Sequence, residues 1–322
     1  MRAIVVGEYG DADVLHEAEV PDPTAQPGQV VVGVTHAGVN YVDVYHRTGL
    51  YPHDFPFVLG QEGAGEIVSI GADVEGFAVG QRVAWTDVIG SYAELLAAPA
   101  GRLVPLPDAI GNGVAAAAML QGLTARYLVN DTFPLQPGDR CLIHAGAGGV
   151  GRLLIQLAKG KGAVVFATVG SAKKAATASS AGADHVIDYV TDDFAAAVEA
   201  VAGPHALAVV YDGVGAATFD RGLGLLRRRG MMVTYGNASG PVTPVDPLRL
   251  SRGGSLYLTR PTLGDHIADT ETLRTQSSQL FSAITSGRLD VMIGGRYPLA
   301  SAAEAHRDLE GRRTTGKVLL EV

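Results

Sequence analysis

The stretch "CLIHAGAGGVGRLLIQLAKGKGAVVFATVGSAKK", Cys141 to Lys174, confines the chain to very few architectures. A short apolar run enters a glycine-rich turn, and the chain leaves it with apolar residues at helical spacing. A second apolar run and a second helical stretch follow. Gly146, Gly148 and Gly151 stand at G-x-G-x-x-G spacing between the first run and its helix. Such a glycine loop lets the chain turn tightly, lets backbone approach a pyrophosphate, and lets helix and strand pack closely. The helix N-terminus adds unpaired N–H groups and positive dipole for phosphates. Dinucleotide binding on a parallel, doubly wound sheet is the expectation.

The nucleotide is specified farther on. An NAD site carries a carboxylate about twenty residues beyond the loop, where it receives ribose hydroxyls. Here the sequence reads "FATVGSAKK", with Gly170 and Ser171 in place of the acid and Lys173 and Lys174 just beyond. A 2′-phosphate needs hydroxyl and cationic donors and would be repelled by a carboxylate, so NADPH is the expected cofactor. The competing reading is a solvated helix face, although the helix dipole disfavours cations at that end. "DHVIDY", "ALAVVYDGVG" and "RRGMMVTYGN" continue the alternation as further strands.

Upstream the texture differs. The first ~110 residues are β-rich, with "RAIVV", "QVVVGVTHAGV", "GAGEIVSI" and "QRVAW" separated by turn clusters. Val114 to Val129 is alanine-rich with a helical period and is expected to join two units. "TETLRTQSSQLFSAITSG" reads as a helix, and "KVLLEV" as a terminal strand returning to the N-terminal unit.

Composition narrows the function. With 33 acidic against 25 basic residues and a net charge of −8, the surface argues against nucleic-acid and anionic-membrane partners. The single cysteine, Cys141, can build neither an intramolecular disulfide nor a zinc cluster and is expected in the core. No apolar run reaches the ~20 residues that span a bilayer. A cytoplasmic protein without a membrane role is expected.

Nearly end to end, the chain resembles the zinc-free NADPH:quinone oxidoreductases related to zeta-crystallin, within the medium-chain dehydrogenase/reductase superfamily. The resemblance is carried by "GVNYVDVYHRTGLYP", "LGQEGAGEIVSIG", "GLTARYL", "HAGAGGVG", "TVGSAKK", "VVYDGVG", "MVTYGNASG" and "GSLYLTRP". It implies an α/β protein with a discontinuous GroES-like β-rich catalytic domain, residues 1–122 and 262–322, and a Rossmann NADP(H)-binding domain, residues 123–261. Asn40 and Gln61 stand where zinc-dependent relatives carry ligands, so no metal is expected. His36, His46, His53 and Glu62 are the residues from which one would otherwise be assembled.

The resemblance also implies site residues. Asn40, Tyr45 and Tyr51 are the expected catalytic side chains, neutral donors toward the oxygen of a reduced acceptor. Arg47 is near them in sequence and is a candidate to add charge there. Asn40 and Tyr45 also border the cofactor, and Thr124 approaches the nicotinamide. The pyrophosphate loop is Gly146, Gly148, Gly149, Val150 and Gly151. Gly170, Ser171, Lys174 and Tyr189 surround the 2′-phosphate, while Tyr235, Gly236 and Asn237 line the ribose side. Arg312 reaches back from the C-terminal segment, with Arg313 an equal alternative. The substrate is a small quinone or enone, and the chain forms a homodimer through "GSLYLTRP". An enone or alkenal reductase, or a non-enzymatic structural or RNA-binding protein that holds NADPH, are the alternatives.

Overall fold

The computed structural model describes residues 1–322. The chain divides into two compact units, Met1–Leu123 with Ile267–Val322, and Thr124–His266.

The first unit is built on a seven-stranded mixed sheet. Its longest strand, Gln29–Val39, pairs antiparallel with Glu62–Ile70, with Leu95–Pro99 and with the terminal strand Lys317–Glu321. The C-terminus therefore completes a sheet begun some 280 residues earlier. Val30, Val32 and Val34, at alternate positions of the long strand, enter a core with Ile67, Val83, Trp85 and Leu103. A smaller antiparallel sheet holds Arg2–Val6 between Leu15–Glu19 and Phe57–Val58. Its core is shared with Leu299, Ala302 and Ala305 of the C-terminal segment.

Helix α1, Tyr41–Arg47, follows the long strand directly. Helix α2, Asn112–Tyr127, begins two residues before the sequence expectation and runs on into a π-helical turn, Leu128–Thr132. Its alanines have a packing reason. Ala115 to Ala118 are all fully buried, and a Cβ at Gly38 would lie 2.6 Å from the Ala116 carbonyl. Larger side chains would push strand and helix apart.

The second unit is a six-stranded sheet, parallel throughout. In space the strands run His185–Asp188, Val164–Val169, Arg140–Ile143, Leu207–Asp212, Leu226–Thr234, Tyr257–Thr259. The order reverses beside the first strand, the switch point where α/β sheets bind nucleotides. Helix α3, Gly149–Gly160, and helix α4, Ala172–Ser180, follow the first two strands. Cys141 is fully buried in the sheet, and burial pushes its thiol up to about 12. No helix is long and apolar enough to cross a membrane.

Candidate functional site

In the second unit the glycine loop joins the strand Arg140–Ile143 to α3. The glycines divide the work differently from the sequence expectation. The left-handed residue of the turn is Ala145, at φ 55°, and not Gly146. Gly146 is required by packing, because a Cβ there would lie 2.9 Å from that of Ala167. At Gly151 a Cβ would lie 2.3 Å from the Ala145 carbonyl oxygen, so only glycine lets the helix start so close to the turn. Gly148 is different. Its Cβ would meet only the Ala145 oxygen, at 3.2 Å, and it caps α3 without any side chain to occupy the helix's free N–H groups. No acidic residue stands in the first turn. The donor set at Gly149, Val150 and Gly151 thus suits an anionic phosphate.

At the end of the next strand, Ser171 caps α4, its hydroxyl accepting from the Lys174 N–H at 3.3 Å. Tyr189 lies over Gly170, whose Cβ would stand 2.5 Å from the phenol oxygen. Gly170, Ser171, Lys174 and Tyr189 are therefore brought together, and no carboxylate caps this helix. Lys174 is half-buried, whereas Lys173 is exposed.

Tyr235 and Gly236 pack on Gly213, where a Cβ would come within 3.0 Å of the Tyr235 ring. Arg260, which sequence reasoning did not single out, holds this loop. Its guanidinium donates to the carbonyls of Thr234, at 3.1 Å, and Gly236, at 3.0 Å, and to the Asn237 amide oxygen at 3.0 Å. Asp212 shapes the facing turn by accepting from the N–H groups of Val214 and Gly215 and from the Thr218 hydroxyl. Thr124, at the start of this unit, is buried.

In the first unit Asn40 is 3% exposed. Its amide is fully committed. Nδ2 donates to Glu62 Oε2 at 2.9 Å and to the Gly38 carbonyl at 3.2 Å, while Oδ1 accepts from Lys317 Nζ at 2.7 Å. The expectation that Asn40 offers free amide donors is corrected: both protons are already taken. Lys317 also pairs with Glu62, whose other oxygen accepts from the Leu120 N–H at 2.6 Å. Lys317 and Glu62 are both buried, and burial pulls the ammonium's pKa down against the opposing pull of Glu62.

The Asn40 backbone N–H donates to Asp43 Oδ2 at 2.8 Å, closing the first turn of α1. Behind Asp43 runs a second buried chain. Arg47, which only donates, fixes His306 Nδ1 as acceptor at 3.2 Å. His306 then carries its proton on Nε2 toward the Tyr92 phenol at 3.2 Å, and Tyr92 donates to Asp43 at 2.9 Å. Arg47 also grips Glu310 through two hydrogen bonds, at 2.9 and 2.8 Å. The sequence expectation that Arg47 adds charge near an acceptor is thereby corrected: it is a buried tie between α1 and the helix Ala302–Glu310.

Tyr45 is buried and Tyr51 is 37% exposed, with their rings edge-on at 5.4 Å. His46 and His53 are joined Nδ1 to Nε2 at 2.7 Å, and Gln61 contacts the other His46 nitrogen. His36 turns to the Thr35 hydroxyl, and Glu62 is held by Lys317. A catalytic zinc does not fit here. Asn40 and Gln61 are poor zinc donors, an ammonium lies against Glu62, and no three His, Cys, Asp or Glu side chains converge. Arg312 lies exposed in the C-terminal segment with left-handed backbone, φ 57°, and Arg313 is bonded to Asp308.

The buried groups of this unit oppose one another in pH. Burial lifts the Asp43 carboxyl to about 7, against the hydrogen bonds from Asn40 and Tyr92. Its stabilisation is full below about pH 4 and is lost as pH rises to about 7. Burial, assisted by Arg47, pulls His306 down to about 3, and burial, assisted by His53, pulls His46 down to about 4. Their stabilisation is full above about pH 6.5 and is lost as pH falls through those values. Asp43→Asn removes one side of the opposition. Its stability relative to the wild type should increase from about pH 4 to 7, by on the order of 1–3 kcal/mol. Urea titrations at several pH values provide the check, and a constant offset between the two proteins would contradict it.

Residues 26–108 match the family described as "Alcohol dehydrogenase GroES-like domain", and residues 149–277 the family described as "Zinc-binding dehydrogenase". The quinone oxidoreductase of Pseudomonas aeruginosa is 42% identical over 321 residues, with 99% of each chain covered. The crystal structure of Escherichia coli quinone oxidoreductase complexed with NADPH is 39% identical, with a TM-score of 0.97 and 100% of both chains covered. A mycobacterial protein, also solved as a complex with NADPH, is 44% identical, with a TM-score of 0.96 over 100% of both chains.

Proposed function

The chain belongs to the quinone oxidoreductase family of the medium-chain dehydrogenase/reductase superfamily, and we propose that it is an NADPH-dependent enzyme reducing quinones. The observation that carries the choice of cofactor is the start of α4. Ser171 and the half-buried Lys174 stand there beside Gly170 and Tyr189, with no carboxylate in the first turn. The bound dinucleotide supplies the hydride.

In this reading Gly146 and Gly148 to Gly151 receive the pyrophosphate, while Ser171, Lys174 and Tyr189 receive the 2′-phosphate above Gly170. Tyr235, Gly236 and Asn237 border the ribose, and Arg260 holds their loop in place. Thr124 serves the nicotinamide. Because Asn40 spends its amide protons on Glu62 and Gly38, we assign it to positioning. The donor to the acceptor's developing oxyanion is then a tyrosine, with Tyr51 the more accessible and Tyr45 its packing partner. The enone-reductase and non-enzymatic readings are not favoured by full-length relatives of this kind. We propose further that the protein is a cytoplasmic homodimer. The outer strand Tyr257–Thr259, with Tyr257 half exposed, is a sheet edge that a partner would cover.

Turnover tests the reading. NADPH should be oxidised on addition of 1,4-benzoquinone, and binding of NADPH with no turnover toward any quinone would refute it. Tyr51→Phe removes one hydroxyl and keeps the ring. A lost oxyanion donor can cost ~10²–10³ in rate, but a quinone is easily reduced and needs less help. A fall in kcat/KM of roughly tenfold or less is expected, with NADPH affinity unchanged. Unaltered kcat/KM would leave Tyr51 as wall only.

A further inference from the structure

The segment that carries Tyr51 leaves α1 at Thr48 and enters the strand Phe57–Val58, and both of its ends are fixed. At the first end the Tyr51 N–H donates to the Tyr45 carbonyl at 3.1 Å. At the second, Phe57 and Val58 pair with Val6 and Val5. Between them the backbone is taken up by a side chain from the turn after Arg2–Val6. The Tyr9 phenol donates to the His53 carbonyl at 2.9 Å and accepts from the His53 N–H at 2.8 Å. One hydroxyl, which can donate and accept at once, thus engages both polar backbone groups of a residue two positions from Tyr51.

The post on which this hydroxyl stands is itself fixed. The Gly10 N–H donates to the Arg47 carbonyl at 3.2 Å, and the Gly10 carbonyl accepts from Arg47 Nε at 3.2 Å. Arg47 is in turn clamped to His306 and Glu310. The Tyr9 ring is seated closely as well. Gly49 has φ 80°, a Cβ there would lie 2.9 Å from the ring, and Phe55 stands edge-on at 4.5 Å. Yet Tyr9 is 39% exposed, so its contribution lies in holding this loop and not in filling the core.

We infer that Tyr9 is a positioning residue for the acceptor end of the reaction: its phenol anchors the loop at His53 and so fixes where the Tyr51 hydroxyl stands. This rests on the assignment of Tyr51 as donor to the acceptor's developing oxyanion. A donor misplaced by ~1 Å can cost ~10²-fold in rate, but a hydroxyl that is itself worth roughly tenfold or less bounds the loss here.

Tyr9→Phe keeps the ring on Gly49 and Phe55 and removes both hydrogen bonds. Amide hydrogen exchange followed by NMR reads the anchor without any turnover. The His53 and Tyr51 N–H groups should exchange about three- to tenfold faster, while the amides of Gln29–Val39 exchange as in the wild type. The kcat/KM toward 1,4-benzoquinone should fall, by no more than Tyr51→Phe costs, at unchanged NADPH affinity. Added to Tyr51→Phe, Tyr9→Phe should cost nothing further, since the hydroxyl it positions is gone. Wild-type exchange at Tyr51 would overturn the inference, as would a loss of kcat/KM that persists undiminished in the Tyr51→Phe background. Faster exchange throughout Gln29–Val39 would also overturn it, by showing a general loosening of the unit. A silent Tyr51→Phe beside faster exchange at both loop amides would instead remove the oxyanion role of Tyr51 and leave the anchor standing.

Discussion

Lys317→Met is expected to destabilise the unit formed by Met1–Leu123 and Ile267–Val322 by about 3–5 kcal/mol, the cost of leaving a buried opposite charge alone. The reason is the completeness of its burial: Lys317 and Glu62 are 1% and 0% exposed as whole residues. Without the ammonium, Glu62 keeps only the N–H of Leu120 and the amide of Asn40. The carboxylate must then stay charged in an apolar surrounding or take up a proton. Adding Glu62→Gln should recover most of the loss, because replacing both charges of a buried pair is often close to neutral. Chemical denaturation of the wild type, both single variants and the double variant would measure this as a coupling energy. Additive effects of the two substitutions would show that the pair does not act as one unit. A positive coupling would also explain why a lysine is tolerated in such a place: strand Lys317–Glu321 closes the sheet against Gln29–Val39, which delivers its Nζ to Glu62.

The second large effect concerns the cofactor. Lys174→Ala should weaken NADPH binding by about ten- to a hundredfold, since a charge-assisted hydrogen bond contributes roughly 1.5–3 kcal/mol. NADH, without the 2′-phosphate, should bind almost as before. The local structure makes this a clean substitution. Ser171 caps α4 through the backbone N–H of residue 174, which alanine retains, and alanine is the better helix former. A cation in the first turn opposes the helix dipole, so the variant's helix should be no less stable than the wild type's. Titration of both cofactors by fluorescence decides the matter. Equal losses for NADPH and NADH would mean that Lys174 supports folding and does not read the phosphate.

Much of this protein was legible in its sequence because the signals are local. The strand, glycine turn and helix at 140–160 are written in consecutive residues, and so is the absence of a carboxylate after Val169. The return of the terminal strand to the N-terminal unit could be expected because an apolar strand followed by no further strand must pair with earlier ones, as it does with Ile293–Pro298 and Gln29–Val39. The single cysteine bounded the metal chemistry by counting alone.

What the tertiary structure decided concerns residues far apart in the chain. Lys317 meets Asn40 and Glu62 across 277 and 255 positions, and Arg47 meets His306 and Glu310 across 259 and 263. No periodicity or motif encodes such encounters, because they arise only when the last strand and the helix before it pack onto the first unit. They reassign Asn40 from free donor to fixed support and Arg47 from site charge to buried tie. Hydrogen-bond polarity propagates from a fixed charge through neighbouring amides, and only coordinates reveal which neighbours those are.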